Sequence, residues 1–111
     1  MENKSFETAK VFRFNKEVDY SDNGIVSKRV LEKKTGNVSL FSFDKGQSLS
    51  EHTAPFDAMV QVVEGTAQII INKQPFTVNI GETIIMPANI PHAVYAIERF
   101  KMVLTMIKEV I

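Results

Sequence analysis

The residues best suited to chemistry in this chain are its two histidines, His52 and His92. Imidazole is the commonest metal-ligating side chain, and in its neutral form it also offers one hydrogen-bond donor and one acceptor. Cysteine is absent, which excludes a thiolate metal site, a cysteine nucleophile and a disulfide framework. No Ser-His-Asp arrangement, phosphate-cradling glycine loop or carboxylate pair stands out. Met59, Met86, Met102 and Met106 read as adaptable core filling, and Glu32-Lys33-Lys34 as a solvated turn. The chemistry open to the chain is therefore that of two imidazoles and whatever surrounds them.

The whole-chain balance narrows the partners. Lys and Arg together number 13, as do Asp and Glu, so there is no electrostatic reason to expect nucleic acid or an anionic membrane surface. The N-terminal Met1-Glu2-Asn3-Lys4 lacks the basic-then-apolar layout of a signal peptide. The longest apolar runs, Ile69 to Ile71 and Ile84 to Met86, fall far short of the ~20 residues of a membrane helix. A soluble, cytoplasmic protein is the expectation. With 111 residues there is room for one domain, large enough to hold a core without disulfides or a structural metal.

The elements that must position the histidines read as strands. Apolar and β-branched runs cover Ile25 to Leu31, Val38 to Phe43, Met59 to Val63, Thr66 to Ile71, Phe76 to Ile80, Thr83 to Met86, Val94 to Ile97 and Met102 to Ile107. Turn residues punctuate them, among them Gly36, Gly46, Glu64-Gly65, Asn72 to Pro75, Gly81 and Pro87. The four prolines, Pro55, Pro75, Pro87 and Pro91, all lie between the runs, where a turn tolerates them. The segment from Phe100 onward is the one place where a helix competes. Val103, Thr105, Ile107 and Val110 favour the pleated state there. Short strands spaced by turns every ~8–12 residues predict an all-β sandwich or barrel. Residues 1–24 are more polar and read as an N-terminal arm, with one short strand around Val11 to Phe14 and a turn at Asp22-Asn23-Gly24. Residues 25–111 form the barrel domain.

Two stretches resemble the paired motifs of the cupin family. In the first, Gly46, His52 and Gly65 stand at the family's spacing, while Ala54 stands where a second His is expected and Ala58 where a Glu is expected. In the second, Gly81, Pro87 and His92 are in place, Asn89 replaces a Gly and Ala96 an Asn. Asn is the next best residue at positive φ, so the first of those changes is mild. The resemblance implies an antiparallel β-barrel or jelly roll over about residues 36–107. It also implies a central site that, elsewhere in the family, holds a metal by three His and one Glu.

Strand alternation places His52 with Ala54, Ala58 with Val60, and His92 with Val94 and Ala96 on cavity-facing positions, with Phe56 as a neighbouring wall. The pocket expected is thus His52, Ala54, Phe56, Ala58, Val60, His92, Val94 and Ala96. Of the metal ligands only His52 and His92 remain, an incomplete set for Zn²⁺ and short of the two-His, one-carboxylate iron triad. Asp57 would have to be turned inward by a bulge to complete it. No cofactor is certain; a divalent transition metal is what the resemblance admits. Three functions stay open: a barrel binding a small, largely apolar molecule beside a degenerate metal site, a metal-dependent oxygenase or isomerase with a reduced ligand set, and a structural domain with a vestigial pocket. A homodimer is expected, because Met59 to Val63 is apolar on both faces but for Gln61 and needs a cover.

Overall fold

A computed structural model describes residues 6–109 of the chain. Its eight strands are β1 (Ile25–Lys33), β2 (Gly36–Phe43), β3 (Ser48–His52), β4 (Asp57–Ile71), β5 (Gln74–Asn79), β6 (Thr83–Met86), β7 (His92–Tyr95) and β8 (Phe100–Ile107). Every pairing among them is antiparallel. One sheet runs β1-β2-β8-β4-β6 and the other β5-β4-β7-β3, with β4 belonging to both. The result is the antiparallel barrel expected from the spacing of the apolar runs. The C-terminal run is a strand, β8, as its β-branched residues predict.

β4 departs from the sequence reading. Met59 to Val63 and Thr66 to Ile71 were expected as separate strands, yet they form one strand of 15 residues. Its ladder with β8 slips between Val62 and Glu64, and Gly65 follows in the left-handed region at φ 73°. A bulge with a positive-φ residue bends a strand without ending it. The first half of β4 therefore pairs with β6 and β8, and the second half with β5 and β7. This single bend carries the chain from one sheet to the other.

Between the sheets lies the main core. Phe43, Val60, Ala67, Ile69, Ala96 and Phe100 are fully buried there, with Val62, Val94 and Met102 close to it. The rings of Phe43 and Phe100 stack with centroids 4.6 Å apart and planes 9° from parallel. Full burial of each such side chain contributes about 1.5–3 kcal/mol.

A second cluster covers the outer face of the β1-β2-β8-β4 sheet. Val18, with Phe6 and Phe14, packs on Val26, Val30, Leu40 and Val103. The arm thus lies on its own barrel. The strand expected around Val11 to Phe14 does not form: among the described residues the only regular element of the arm is a short 3-10 turn, Phe14–Lys16, and Val11 is 98% exposed. The arm's apolar residues serve as a lid over a sheet face, a task that needs side-chain contact and no ladder. Asp22-Asn23-Gly24 does turn, with Asn23 at φ 57°.

Polar contacts pin the arm. Tyr20 Oη donates to Glu64 Oε2 at 2.7 Å, and Lys101 Nζ donates to the Asn15 carbonyl at 2.7 Å. Lys101 and Arg99 place their cations 4.8 and 4.9 Å from the centre of the Tyr20 ring. Burial and then the Glu64 bond push the Tyr20 hydroxyl well above its ordinary value. Burial alone would raise Glu64, but the Tyr20 hydroxyl and the Lys101 charge outweigh it and hold that carboxyl below its usual range.

Candidate functional site

His52 ends β3 and His92 begins β7, and the two residues are direct partners in the β3–β7 ladder. Partners across a ladder point to the same face. Here that face is the interior: His92 also pairs with Ile71, two residues along from Ile69, whose partner Val94 is in the core. The two rings meet edge to face, with centroids 4.4 Å apart and Nε2 atoms 3.2 Å apart. His92 is buried and His52 exposed, so the pair stands at the mouth of the barrel with one ring below and one at the surface.

Each ring is held from its other nitrogen by the same local device. His52 Nδ1 bonds the Ser50 carbonyl at 2.8 Å and His92 Nδ1 bonds the Ile90 carbonyl at 3.2 Å, both two residues upstream. The loop before His92 is fixed in turn: Asn89 N donates to the Ala54 carbonyl at 2.7 Å, and Ala88 N to Asp57 Oδ1 at 2.9 Å. Asn89 sits at φ 64°, the positive-φ position its place in the motif implies. Burial is the chief cause holding His92 below the ordinary imidazole value.

The remaining predicted residues divide by depth. Val60 and Ala96 have no accessible surface, so no water-sized space touches them; Val94 and Ala58 are almost as buried, and all four belong to the main core. Ala58 pairs with both Met86 and Met106, which places two adaptable thioether side chains beside it. Ala54 is half-buried beside the loop that leads to His92. Phe56 is turned to the outer rim, where it lines a groove of about 370 Å³ with Pro55, Asp57, Ala88, Ile107 and Lys108. Neither histidine reaches that groove. Asp57 is occupied by the Ala88 amide, so it does not join the imidazoles.

Sequence reasoning missed the Ser50 and Ile90 carbonyls, Ile71, and the Met86–Ala58–Met106 row. The carbonyls were open to inspection only as an i−2 relation shared by both histidines. The methionine row depends on register, which alternation alone does not give.

Tetrahedral Zn²⁺ with bonds of about 2.0–2.1 Å separates two nitrogen ligands by roughly 3.3 Å, so the Nε2 pair would suit two vertices. At the two positions where the motif would supply further ligands, 54 and 58, the side chains are methyl groups. Among the described residues no three His, Asp or Glu side chains come together in a way that could hold an ion. The set does not fit a resident metal of the usual coordination number.

Comparison with known proteins gives a consistent answer. A family model described as Cupin domain matches residues 39–108. A conserved protein of unknown function from Streptococcus pyogenes is similar at 39% identity, with TM-score 0.90, over 96% of this chain and 93% of that one. A cupin 2 conserved barrel domain protein from Leptotrichia buccalis shows 42% identity and TM-score 0.82 over 85% of this chain but only 46% of its own length. A cupin superfamily protein from Desulfitobacterium hafniense shares the fold at TM-score 0.89 with 23% identity, covering 98% of this chain and 100% of that one. No curated protein matches the chain. The family model spans both motif histidines, the barrel it describes is the one observed, and the chain belongs to the cupin domain family.

Proposed function

We propose that this cupin binds a small, largely apolar molecule at the mouth of its barrel, with His52 and His92 as the polar contacts and no resident metal. The observation that carries the reading is the convergence of two imidazole Nε2 atoms, 3.2 Å apart, at the end of a barrel with an apolar core. A few convergent polar groups in an apolar setting are the usual make-up of a small-molecule site. The alanines at positions 54 and 58 support it, since they put uncharged methyl groups where the family motif has two metal-ligating side chains.

Protein purified without a histidine tag is expected to contain well under one metal ion per chain. Small apolar compounds are expected to raise its melting temperature, by about 5 °C when free ligand stands tenfold above Kd. His52→Ala and His92→Ala should each abolish that rise. Stoichiometric metal in the wild type, lost in both variants, would instead establish the metal-dependent enzyme. No rise with any compound would leave a vestigial pocket.

We also infer that the chain forms a homodimer through the outer face of the β1-β2-β8-β4-β6 sheet. The register aligns Leu31, Val38, Thr105, Met59 and Ile85 in one row across all five strands. Leu31 and Ile85 at its ends are 59% and 60% exposed, and neighbouring Ile107 is 70% exposed. The arm covers only the adjoining part of this face. A row of this kind on one chain meets the same row on a second by a two-fold axis, the commonest symmetry of small oligomers. Light scattering is expected to give the mass of two chains at micromolar concentration, and Ile85→Glu the mass of one. A single-chain mass for the wild type refutes the dimer. Among the described residues no helix is long and apolar enough to cross a membrane, and the balanced charge accords with a cytoplasmic protein.

A further inference from the structure

Asn37 is a polar residue in an apolar place. It is 9% exposed, and its Oδ1 is a buried acceptor with no hydrogen-bond partner among the described residues. The pleat of β2 sets its direction. Val38 and Leu40 belong to the outer cluster under the arm, and Phe41 and Phe43 to the main core, so Asn37 and Ser39 face inward with the phenylalanines. Asn37 pairs with Met106, Met106 with Ala58, and Ala58 with Met86. This row crosses the inner face of its sheet at the histidine end of the barrel, because Asp57, next to Ala58, holds the Ala88 amide in the loop that leads to His92. Burial falls off toward the same end. Along β8 the inward residues pass from Phe100 and Met102, which are buried, to Leu104 and Met106, which are half-buried. Glu32, the partner of Asn37 on β1, is taken by Arg29 at 2.9 Å.

A buried acceptor without a partner lowers stability, and folded chains keep few of them. An apolar side chain at position 37 would fill the place without that loss. We infer that Asn37 is a specificity-determining residue of the small-molecule site, its amide meeting a hydroxyl on the ligand. This rests on the small-molecule reading above and adds a second polar contact, on the sheet across from the histidines. The ligand class it implies has an apolar middle and a hydrogen-bonding group at each end, one for the imidazoles and a hydroxyl for Asn37. A hydroxyl suits an amide in either orientation, since it donates to Oδ1 and accepts from Nδ2. Met106 stands between Asn37 and Ala58 in the row, and its unbranched side chain can swing aside to admit the hydroxyl. The apolar middle would lie against Met106 and Leu104, the inward residues of β8 that keep accessible surface.

The test uses the full-length protein, thermal unfolding and two flexible probes, 1-hexanol and 1,6-hexanediol, titrated by calorimetry. Asn37→Leu removes the amide, and Asn37→Val, smaller and favoured in strands, guards against Leu being too large. Without a probe, the better-fitting of the two variants should melt about 4 °C above the wild type. An asparagine with a structural hydrogen bond gives the opposite sign, so a lower melting temperature in both variants overturns the inference. On hydrophobicity alone 1-hexanol binds more tightly, because the diol carries a hydroxyl where the alcohol ends in hydrogen. The wild type should instead favour the diol at least about threefold, and the folded variant should restore the preference for 1-hexanol. A diol preference that survives in the variant overturns the role of Asn37. A wild type that binds both probes but prefers 1-hexanol overturns the hydroxyl contact and leaves the small-molecule site standing. A wild type that binds neither overturns both readings.

Discussion

Gly65→Ala is expected to destabilise the protein by more than about 4 kcal/mol, whereas Gly81→Ala should lose only about 1–2 kcal/mol. Both glycines have positive φ, 73° and 85°. That conformation alone costs an L-residue with a Cβ about 1–2 kcal/mol. The surroundings separate the two. A Cβ at Gly81 would meet nothing within 4 Å. A Cβ at Gly65 would run into the Arg99 carbonyl oxygen and press on Phe100. The obstacle is backbone, at the position where Gly65 and Phe100 are partners in the β4–β8 ladder. β8 cannot retreat cheaply, since Phe100 is fully buried and stacked on Phe43. Steric conflict added to the conformational cost brings the loss above roughly 4 kcal/mol, a large part of the ~5–15 kcal/mol that holds a domain of this kind together. Urea unfolding followed by circular dichroism measures both variants. Equal losses would show that the bend in β4 tolerates a side chain.

That same bend marks where sequence reasoning lost the fold. Glu64-Gly65 reads as a turn because Gly is the usual breaker of a strand pattern, and nothing local distinguishes a turn from a bulge. The distinction is made by β8, whose ladder with β4 continues through the irregularity to Glu64 and Gly65. The arm shows a related failure. Val11 to Phe14 has strand-forming residues, but Phe14 is used for its ring on the outer sheet face and the segment joins no ladder. In contrast, the strand pattern from Phe76 to Ile80 and the β-branched C-terminal run are settled by short-range pleat preference, and both appear as strands, β5 and β8. The histidines occupy an intermediate place. Their residence on strands follows from the motif frame, and so does the positive φ at Asn89. Their mutual distance, and the two carbonyls that fix their rings, depend on the β3–β7 register and on a loop tied down by Ala54 and Asp57. Such long-range backbone bonds have no signature in composition or periodicity.

Installing the two missing ligand types should convert the mouth into a metal site. The double variant Ala54→His, Ala58→Glu is expected to bind Zn²⁺ stoichiometrically and at least about 100-fold more tightly than the wild type, because four protein ligands replace two. Position 54 lies two residues beyond His52, beside the loop that leads to His92, with its carbonyl tied to Asn89. Position 58 faces the interior of β4, where its neighbours Met86 and Met106 are flexible enough to make way for a longer side chain. Without metal the same variant should be less stable than the wild type, since Ala58 is 5% exposed and a carboxylate there has no partner in an apolar row. The two expectations have opposite signs, which separates them from simple damage: zinc should restore more stability to the double variant than the substitutions remove, and should do little for the wild type. Ala58→Glu alone, with three ligands, should fall between. Adding His92→Ala to the double variant should forfeit most of the gain in affinity, because His92 is the buried member of the pair. Isothermal titration with zinc, paired with thermal unfolding at each stage, measures these steps. A double variant that folds yet binds zinc no better than the wild type would show that positions 54 and 58 do not converge on the imidazoles. In that case the alanines would owe their place to packing rather than to a lost metal centre, and the small-molecule site would have to be drawn from His52, His92 and the rim alone.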